Sequence, residues 1–402
     1  MNRSIALNER TVGKVRAALF VYYFLAGLCF SSWASRIPDI KQTLSMGDAA
    51  WGTMLLMSPV GQIISMLFSG WLVPRLGSKI VLFVATICYG ISLASIGMID
   101  SRLTLVIALI VFGFFGNFVN ISQNTQSCAV EDFCRRPIMS TFHGGWSLAG
   151  LVGGLVGLAT TTLNITPFYH FLFIGAVTIV LSLVCYRYLQ PDLQRGAPAS
   201  AQLGQARRKA KPERFLLLLG FVGFLGMAAE GAMTDWNGIY LRDVVGVKAS
   251  LAPMGLTAYM LTMATGRFFM DGITRRWGRK RVLQLCGGGI FLGLLIAVLL
   301  PGFVVSLIAF MIVGFGTSGI VPAVYSATGE KTRIPVGQAL TIVTSVSFLG
   351  FLLGPPVIGY ISNLTNLRFS YALIALFGIV IVAMASRLRI FRGPKKRSPR
   401  AL

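Results

Sequence analysis

Two acidic residues lie five positions apart inside one apolar stretch of this 402-residue chain. Glu230 is about 16 residues into the stretch 214–240, so a helix would place it deep in a hydrocarbon layer. Ionisable groups are costly at such depth and usually serve a function. A carboxyl group buried there can exchange a proton near neutral pH, and we expect Glu230 to carry a coupling proton. The alternative is a neutral carboxyl group that hydrogen-bonds to a neighbouring helix.

The second acid, Asp235, lies closer to one end of the same stretch. Arg36 lies at the corresponding end of the first apolar stretch. An ion pair between them would hold one conformation closed and would break in another. Alternatively, both side chains simply face water. Arg36 and Asp235 are therefore a candidate gate.

Amide side chains form a stripe on the apolar stretch 103–129. At about 100° per residue, Asn117, Asn120 and Asn124 fall within roughly an 80° arc, with Gln123 at its edge. Buried amides need partners, and their donors and acceptors suit a hydroxyl-rich solute. The stripe is a candidate solute-binding surface, or alternatively a row of hydrogen bonds between helices.

His143, Trp33 and Trp236 complete the set of candidate solute-binding residues. His143 has an unperturbed pKa of about 6.5 and could relay protons. It lies only about one turn from a predicted helix end, so a structural hydrogen bond or a gating role is the alternative. Each tryptophan ring could stack on a sugar face, although anchoring at the membrane interface is the commoner use of tryptophan.

The elements that must position these residues are long and apolar. Hydrophobic residues make up 55% of the chain and charged residues only 12%, about half the charged share of a soluble protein. Stretches that could cross about 30 Å of hydrocarbon as helices recur along the chain. We therefore predict an all-α membrane protein with twelve spans, at 15–36, 49–73, 80–99, 103–129, 138–162, 167–187, 214–240, 250–271, 282–300, 302–326, 335–361 and 369–387.

The charges favour one orientation. The chain has 36 Lys and Arg against 13 Asp and Glu, a net charge of +23. All but six of the cations fall on the side of both termini. Such asymmetry predicts cytoplasmic termini in a multi-pass protein of the inner (plasma) membrane, surrounded by lipid. It also explains the charge without nucleic-acid binding. The six exceptions are Arg36, Lys41, Arg102, Arg242, Lys248 and Arg368.

One long polar stretch divides the chain. Residues 189–213 are rich in Ala, Gln, Gly, Pro and basic residues and predict a basic cytoplasmic linker. The expected domains are an N-terminal six-helix bundle at 1–188 and a C-terminal one at 214–390. A basic cytoplasmic tail follows at 391–402.

The two halves share a repeat. Arg75-Leu76-Gly77-Ser78-Lys79 and Arg276-Trp277-Gly278-Arg279-Lys280 are 201 positions apart, and both follow an even-numbered span. Glycine pairs in the equivalent spans keep the same offset. The pattern predicts two parallel, pseudo-symmetric bundles of six helices. The glycine pairs are Gly113 with Gly314 and Gly153 with Gly354.

With this repeat the chain resembles the major facilitator superfamily of secondary transporters. In that family the loop after span two reads roughly Gly-x-x-x-Asp-Arg-x-Gly-Arg-Arg/Lys. Here Gly70, Arg75, Gly77 and Lys79 match, while Pro74 replaces the acid. The resemblance implies two bundles around a midplane site, with Arg75 and its repeat Arg276 as gate cations.

A narrower similarity is to the sugar-type branch that includes fucose permeases and membrane proteins linked to rhizopine use. In that branch the position matching Asn120 is often acidic, so the amide here shifts the expected proton role to Glu230. The similarity rests on five short stretches in order: Ser32-Trp33-Ala34-Ser35-Arg36-x-Pro38, His143-Gly144-x-x-Ser147-Leu148, Glu230-Gly231-x-x-x-Asp235-Trp236, Gly266-Arg267-Phe268 and Gly354-Pro355-Pro356-x-x-Gly359.

The sequence contains no phosphate loop, no His-Glu-x-x-His motif, no cysteine-pair motif and only two histidines. We therefore expect no enzymatic activity, no cofactor and no metal site. The polar residues and the resemblance predict proton-coupled transport of a small polar solute, such as a sugar or polyol, by a monomer that alternates its access. Two alternatives are proton-driven efflux of metabolites or drugs and a solute sensor that does not transport.

Overall fold

The computed structural model describes residues 9–134, 139–190, 214–331 and 336–388, nearly all of them helical. Lipid offers no partners for backbone groups, so an uncharged chain there folds into helices that satisfy their own hydrogen bonds. The α-helices are α1 (Glu9–Ser35), α2 (Ile37–Thr43), α3 (Asp48–Leu55), α4 (Met57–Leu76), α5 (Ser78–Ile96), α6 (Arg102–Cys134), α7 (Met139–Thr162), α8 (Pro167–Tyr186), α9 (Arg214–Asp243), α10 (Met254–Leu299), α11 (Phe303–Ser318), α12 (Ile320–Lys331), α13 (Val336–Leu364) and α14 (Leu367–Arg387).

Eleven stretches in the described ranges are long and apolar enough to cross a membrane. The predicted span 250–271 is not among them; most of it forms the first part of the long helix α10. That helix is interrupted at Gly278, whose φ of 79° and ψ of 154° are not helical. Helix α10 therefore contains two successive crossings, and each of the twelve predicted spans has a helical counterpart.

The sequence repeat corresponds to a repeated backbone turn. Gly77, between α4 and α5, has a φ of 82°, and Gly278 has a φ of 79°. Only glycine adopts positive φ at little cost, which explains its presence in both copies. Helix pairing repeats as well, since α1 packs on α7 as α9 packs on α13, and α5 packs on α8 as α10 packs on α14. The predicted all-α fold of two pseudo-symmetric six-helix bundles is confirmed.

The exact domain boundaries stay predictions. Most of the predicted linker, from residue 191 to residue 213, lies outside the described residues, and so does the tail from residue 389 onward.

Large apolar side chains cover the outside of the bundles. Leu67 is 76% exposed, Leu103 70%, Phe173 62% and Phe269 63%. A soluble monomer rarely exposes such continuous apolar surface. A hydrocarbon environment is therefore the one in which this surface is stable.

The two halves meet most closely at one end of the molecule. We call this end, which holds residues 36–48 and 243–253, the distal face, and the opposite end, next to residues 190 and 388, the linker face. Contacts between the halves include α3 with α13, α2 with α9 and α7 with α10. This arrangement places α1, α7, α9 and α13 along the seam between the halves.

Candidate functional site

Glu230 pairs with an arginine that also contacts the other half. Arg267 of α10 approaches Glu230 of α9, with Nη2 3.3 Å from Oε1. The same guanidinium donates from Nη1 to Ser147 Oγ of α7 at 2.9 Å and lies 5.8 Å from the centroid of the Trp146 ring. Arg267 is thus the counter-ion of Glu230 and a link across the seam.

The role of Arg267 was missed at the level of sequence. In the sequence it stands out only as part of the stretch Gly266-Arg267-Phe268, and its charge fits the excess of cations on the linker side. The rule that singled out Glu230, that a charge inside an apolar span is functional by default, applies equally to Arg267. The position of Arg267 inside an apolar span is therefore a signal in the sequence that identifies it as a candidate functional residue.

Two of the predicted amides form a polar cluster with α1. Asn124 donates from Nδ2 to Asn120 Oδ1 at 2.9 Å, and Tyr23 Oη donates to Asn124 Oδ1 at 2.6 Å. Asn120 is exposed although it lies in the interior of α6. Because Tyr23 is on the seam helix α1, these amides border the space between the halves.

The other two amides are buried. Asn117 is buried and donates from Nδ2 to Ser65 Oγ of α4 at 3.2 Å. Gln123 is also buried, and its Oε1 has no hydrogen-bond partner among the described residues. In this conformation Asn117 therefore makes a hydrogen bond between helices, which was the alternative to solute binding.

His143 extends the cluster toward Arg267. Its ring packs edge-on against the Tyr23 ring at a centroid distance of 5.4 Å, and the side chain is exposed. One helical turn later, Ser147 donates its hydroxyl to the carbonyl oxygen of His143 at 3.2 Å and accepts from Arg267. A polar path therefore runs from Asn120 on α6 through Tyr23 and His143 to the Glu230–Arg267 pair.

The predicted pair between Arg36 and Asp235 is wrong for this conformation. Arg36 is buried and donates from Nη1 to Asp39 Oδ2 at 2.7 Å, and from Nε to His170 Nδ1 at 3.2 Å. It also reaches the carbonyl oxygen of Ile165. Helix α1 ends at Ser35, and the turn into α2 brings Asp39 closer to Arg36 than any acid of α9.

Asp235 instead lines a cavity between the halves with Trp33. Trp33 is buried and packs against Trp51 at a ring-centroid distance of 6.3 Å. Trp236 is completely buried, with the Lys41 ammonium 6.0 Å from its ring centroid. Of the two predicted tryptophans, Trp33 reaches the cavity and Trp236 belongs to the core.

The ionic contact that closes the distal face involves other residues. Lys41 Nζ lies 2.5 Å from Asp48 Oδ1 in its own half and 3.4 Å from Asp243 Oδ2 in the other. Asp48 in turn accepts a hydrogen bond from Ser362 of α13. We call Lys41, Asp48, Asp243 and Ser362 the distal lock.

A second contact mirrors this lock. Arg242 donates from Nη1 to Gln42 Oε1 at 3.3 Å and to the carbonyl oxygen of Pro38. The dipeptides Lys41-Gln42 and Arg242-Asp243 are related by the 201-residue offset of the repeat. Each cation therefore reaches the second residue of the opposite dipeptide, and the distal closure has the pseudo-symmetry of the fold.

Backbone contact between glycines tightens the same closure. A Cβ at Gly52 of α3 would lie 3.0 Å from Cα of Pro356, and a Cβ at Gly359 of α13 would lie 2.9 Å from Cα of Gly52. Small residues allow helices in a membrane to approach this closely. The distal ends of α3 and α13 are thus in direct contact.

The predicted gate cations on the linker face have no ionic partner among the described side chains. Arg75 is exposed, with its guanidinium 4.2 Å from the centroid of the Trp71 ring, and Arg276 is exposed. Their gate role stays a prediction.

Within the described ranges, no group of three or more His, Cys, Asp or Glu residues could hold a metal ion.

Comparison with known proteins identifies the family. A model described as Major Facilitator Superfamily matches residues 19–334 and 239–402. An uncharacterised MFS-type transporter of Yersinia pestis is 30% identical, over 90% of this chain and 93% of its own length. Membrane protein MosC of Rhizobium meliloti is 27% identical, over 92% of this chain and 88% of its own length.

Solved structures share the fold. The nucleoside transporter NupG aligns with a TM-score of 0.72 at 14% identity, covering 94% of this chain and all (100%) of that one. A D-xylose-proton symporter also aligns with a TM-score of 0.72 at 12% identity, covering 94% of this chain and 97% of the symporter. With its two six-helix halves and these matches, the chain belongs to the Major Facilitator Superfamily and is a membrane transporter rather than an enzyme.

Proposed function

We propose that the protein moves a small polar solute, such as a sugar or polyol, across the inner membrane together with a proton. It acts as a monomer with cytoplasmic termini, so the distal face is the outer one. The similarity to MosC supports a place near the fucose-permease and rhizopine branch. A D-xylose-proton symporter has the same fold, which supports a proton as the coupling ion.

The observation that carries the proposal is the double contact of Arg267. It holds the Glu230 carboxylate of its own half and the Ser147 hydroxyl of the other. A proton bound to Glu230 removes the negative charge that holds the guanidinium, so Arg267 can shift relative to Ser147. Proton binding and the seam between the halves are thereby connected, which coupled transport by alternating access requires.

The solute would be handled by the polar path beside this pair. Asn120 and His143 are exposed on the linker side of the seam, while the distal lock closes the other end. Amide, phenol and imidazole groups supply the donors and acceptors that hydroxyl-rich solutes need. In this conformation the solute would enter or leave at the linker face.

The test is transport by proteoliposomes with an imposed pH gradient and a labelled panel of D-xylose, myo-inositol and a nucleoside. The wild type should accumulate at least one of them. Glu230→Gln should lose gradient-driven accumulation but retain counterflow exchange, because exchange needs no net proton movement. Asp100→Asn, which changes the same charge at an exposed residue, should transport normally. A Glu230→Gln/Arg267→Gln double variant tests whether any loss comes only from an unpaired arginine.

Accumulation by Glu230→Gln at the wild-type level would remove Glu230 from the coupling. Movement of solute only out of the proton-poor compartment would favour efflux of metabolites or drugs. Binding of a panel member without any flux would favour a sensor.

A further inference from the structure

The Glu230–Arg267 pair lies among helices that carry little other charge. Helices α7, α11 and α13 contain no Asp, Glu, Lys or Arg. In α9, Glu230 is the only charged residue between Arg214 and Asp235. The two members of the pair therefore compensate each other in surroundings where either charge alone would be costly.

A proton on Glu230 removes this compensation. The guanidinium of Arg267 keeps its charge at any physiological pH, while the protonated carboxyl group has none. Asp235 does not replace it, because this side chain has no partner among the described residues and belongs to a residue only 8% exposed. A buried carboxyl group without a counter-ion is stable in its neutral form. The proton-loaded seam therefore holds an uncompensated positive charge on Arg267.

Glu230 uses only part of the guanidinium. Their contact of 3.3 Å is longer than the about 2.7–2.9 Å of a strong charge-assisted hydrogen bond. Arg267 Nη1 and Nη2 each make one hydrogen bond, to Ser147 and Glu230, and Nε makes none to the described part of the chain. The Arg267 side chain is 23% exposed and that of Glu230 12%. A carboxylate entering the seam can thus reach free donors of Arg267.

The groups beside Arg267 suit the rest of a hydroxylated acid. Ser147 contacts the carbonyl oxygen of His143 one turn away, and His143 packs against Tyr23. Successive turns are about 5.4 Å apart, a distance that the carbon chain of a sugar acid spans. With its carboxylate on Arg267, such a solute would place its hydroxyl groups along the polar path.

The charge balance also selects the kind of anion. A single guanidinium compensates one negative charge, which is the charge of a carboxylate. A phosphate ester carries about two charges near neutral pH and would leave one of them uncompensated. The planar fork of arginine also matches the two oxygens of a carboxylate.

We propose that the solute is a small hydroxylated monocarboxylate, such as a sugar acid, whose carboxylate replaces Glu230 on Arg267 once Glu230 has bound a proton. The proposal rests on the proposed function and narrows its substrate class. Arg267 is then a solute-binding residue, and unprotonated Glu230 excludes the solute from it. Proton and anion bind one to one and cross the membrane without net charge.

Other titratable groups on the helices packed against α10 must be separated from Glu230. Helix α7 contributes His143, whose unperturbed pKa is near neutrality. The arginines of α14, Arg368 and Arg387, lie in its first and last turns, and α11 has no titratable residue. On α10 itself, Asp271 follows Arg267 by four positions, and its side chain lies outside those described.

The experiment compares matched ligands on the purified full-length protein by calorimetry. D-Gluconate is titrated against D-glucitol, and D-glucuronate against D-glucose, because each pair differs only in the carboxylate. At about pH 5.5 at least one acid should bind about 10- to 100-fold more tightly than its neutral partner, the range expected for hydrogen bonds to a charged group. Its affinity should fall by up to about tenfold per unit rise in pH, because one proton is linked to one anion.

The variants assign this behaviour to residues. Glu230→Gln removes the competing carboxylate and should bind the acid with high affinity that no longer depends on pH. Arg267→Gln should lose the preference for the acid, and Arg267→Lys should keep part of it, because lysine retains the charge but not the fork. His143→Gln and Asp271→Asn should keep the pH dependence, and Asp100→Asn should bind as the wild type.

The inference is overturned if neither acid is preferred over its neutral partner, if Arg267→Gln keeps the preference, or if Glu230→Gln keeps the pH dependence of the wild type. If Arg267→Gln does not fold, the Glu230→Gln/Arg267→Gln double variant, which removes both charges, decides by the same preference.

Proteoliposomes separate this inference from the proposed function. With both acids added to the transport panel, acid uptake driven by a pH gradient should not respond to a membrane potential set with valinomycin and potassium, because no net charge moves. A response to the potential would overturn the inference. Preference for an acid without any flux would refute transport and leave the assignment of Arg267 intact, whereas gradient-driven uptake of neutral solutes without acid preference would do the reverse.

Discussion

Replacing Gly359 by alanine should open the distal face. A methyl group at Gly359 would collide with the carbonyl oxygen of Asp48 and would lie 2.9 Å from Cα of Gly52. Both are backbone atoms and cannot rotate away as a flexible side chain could. The contact joins α3 to α13 across the seam, so it exists only while the distal face is closed. The substitution therefore destabilises the closed state and spares a state in which α3 and α13 have separated.

The expected shift follows from the cost of overpacking. An inserted methyl group in a tightly packed contact typically costs about 1–3 kcal/mol. Because about 1.4 kcal/mol corresponds to a factor of ten, the ratio of distal-open to distal-closed molecules should rise about 5- to 150-fold.

The shift can be measured as a distance between two spin labels. Thr43 of α2 and Leu364 of α13 are both exposed and lie in different halves at the distal end. With the native cysteines replaced, labels at these positions should show a larger long-distance population in Gly359→Ala by electron–electron resonance. Gly70→Ala is the matched control, because a Cβ at Gly70 would have no atom within 4 Å.

An unchanged or shorter distance distribution in Gly359→Ala would refute the reasoning, provided that the variant elutes as a folded protein. It would show that the α3–α13 contact relaxes without separating the halves, or that the distal face opens by a motion that leaves this contact in place.

Three further predictions concern the same closure and the helix packing beneath it. Cysteines at Gly47 and Asn363, where a Cβ on the glycine would lie 3.7 Å from Asn363 Oδ1, should crosslink and abolish transport until a reductant is added. Asp243→Asn should raise the open population about two- to fivefold at low salt and less at high salt, because a partly exposed ion pair contributes about 1 kcal/mol or less and is screened; an effect independent of salt would contradict an ionic role. Gly61→Ala should lower the melting temperature, because a Cβ at Gly61 would collide with the backbone carbonyl oxygen of Ile110 in α6, whereas Gly70→Ala should not; equal melting temperatures would contradict that packing.

Much of the fold could be predicted without coordinates. The length of each uncharged stretch and the cost of unpaired backbone groups in lipid together require membrane helices. The matching loops after spans two and eight predicted the repeat, which the structure shows as positive φ at both Gly77 and Gly278. The crossing at 250–271 continues into the next crossing as one long helix, and the predicted spans 49–73 and 302–326 are each divided between two helices.

The candidate site was predicted less completely. Residue types and depth identified Glu230 and the amides Asn120 and Asn124, because buried polar groups are costly wherever they occur. Depth also placed Arg36 and Asp235 at the same end of the molecule. It did not tell which neighbour each would face, and the expected pair between them is not formed in this conformation.

The sequence by itself determined the class of this protein, its helices, its repeat and the side chains whose burial needs an explanation. Only the tertiary structure decided which of them meet: Glu230 with Arg267, Lys41 with Asp243, and Asp235 with a cavity instead of a cation. The physical reason is that burial cost depends on the type and depth of one residue, whereas an ion pair depends on the rotation and packing of two helices far apart in the chain.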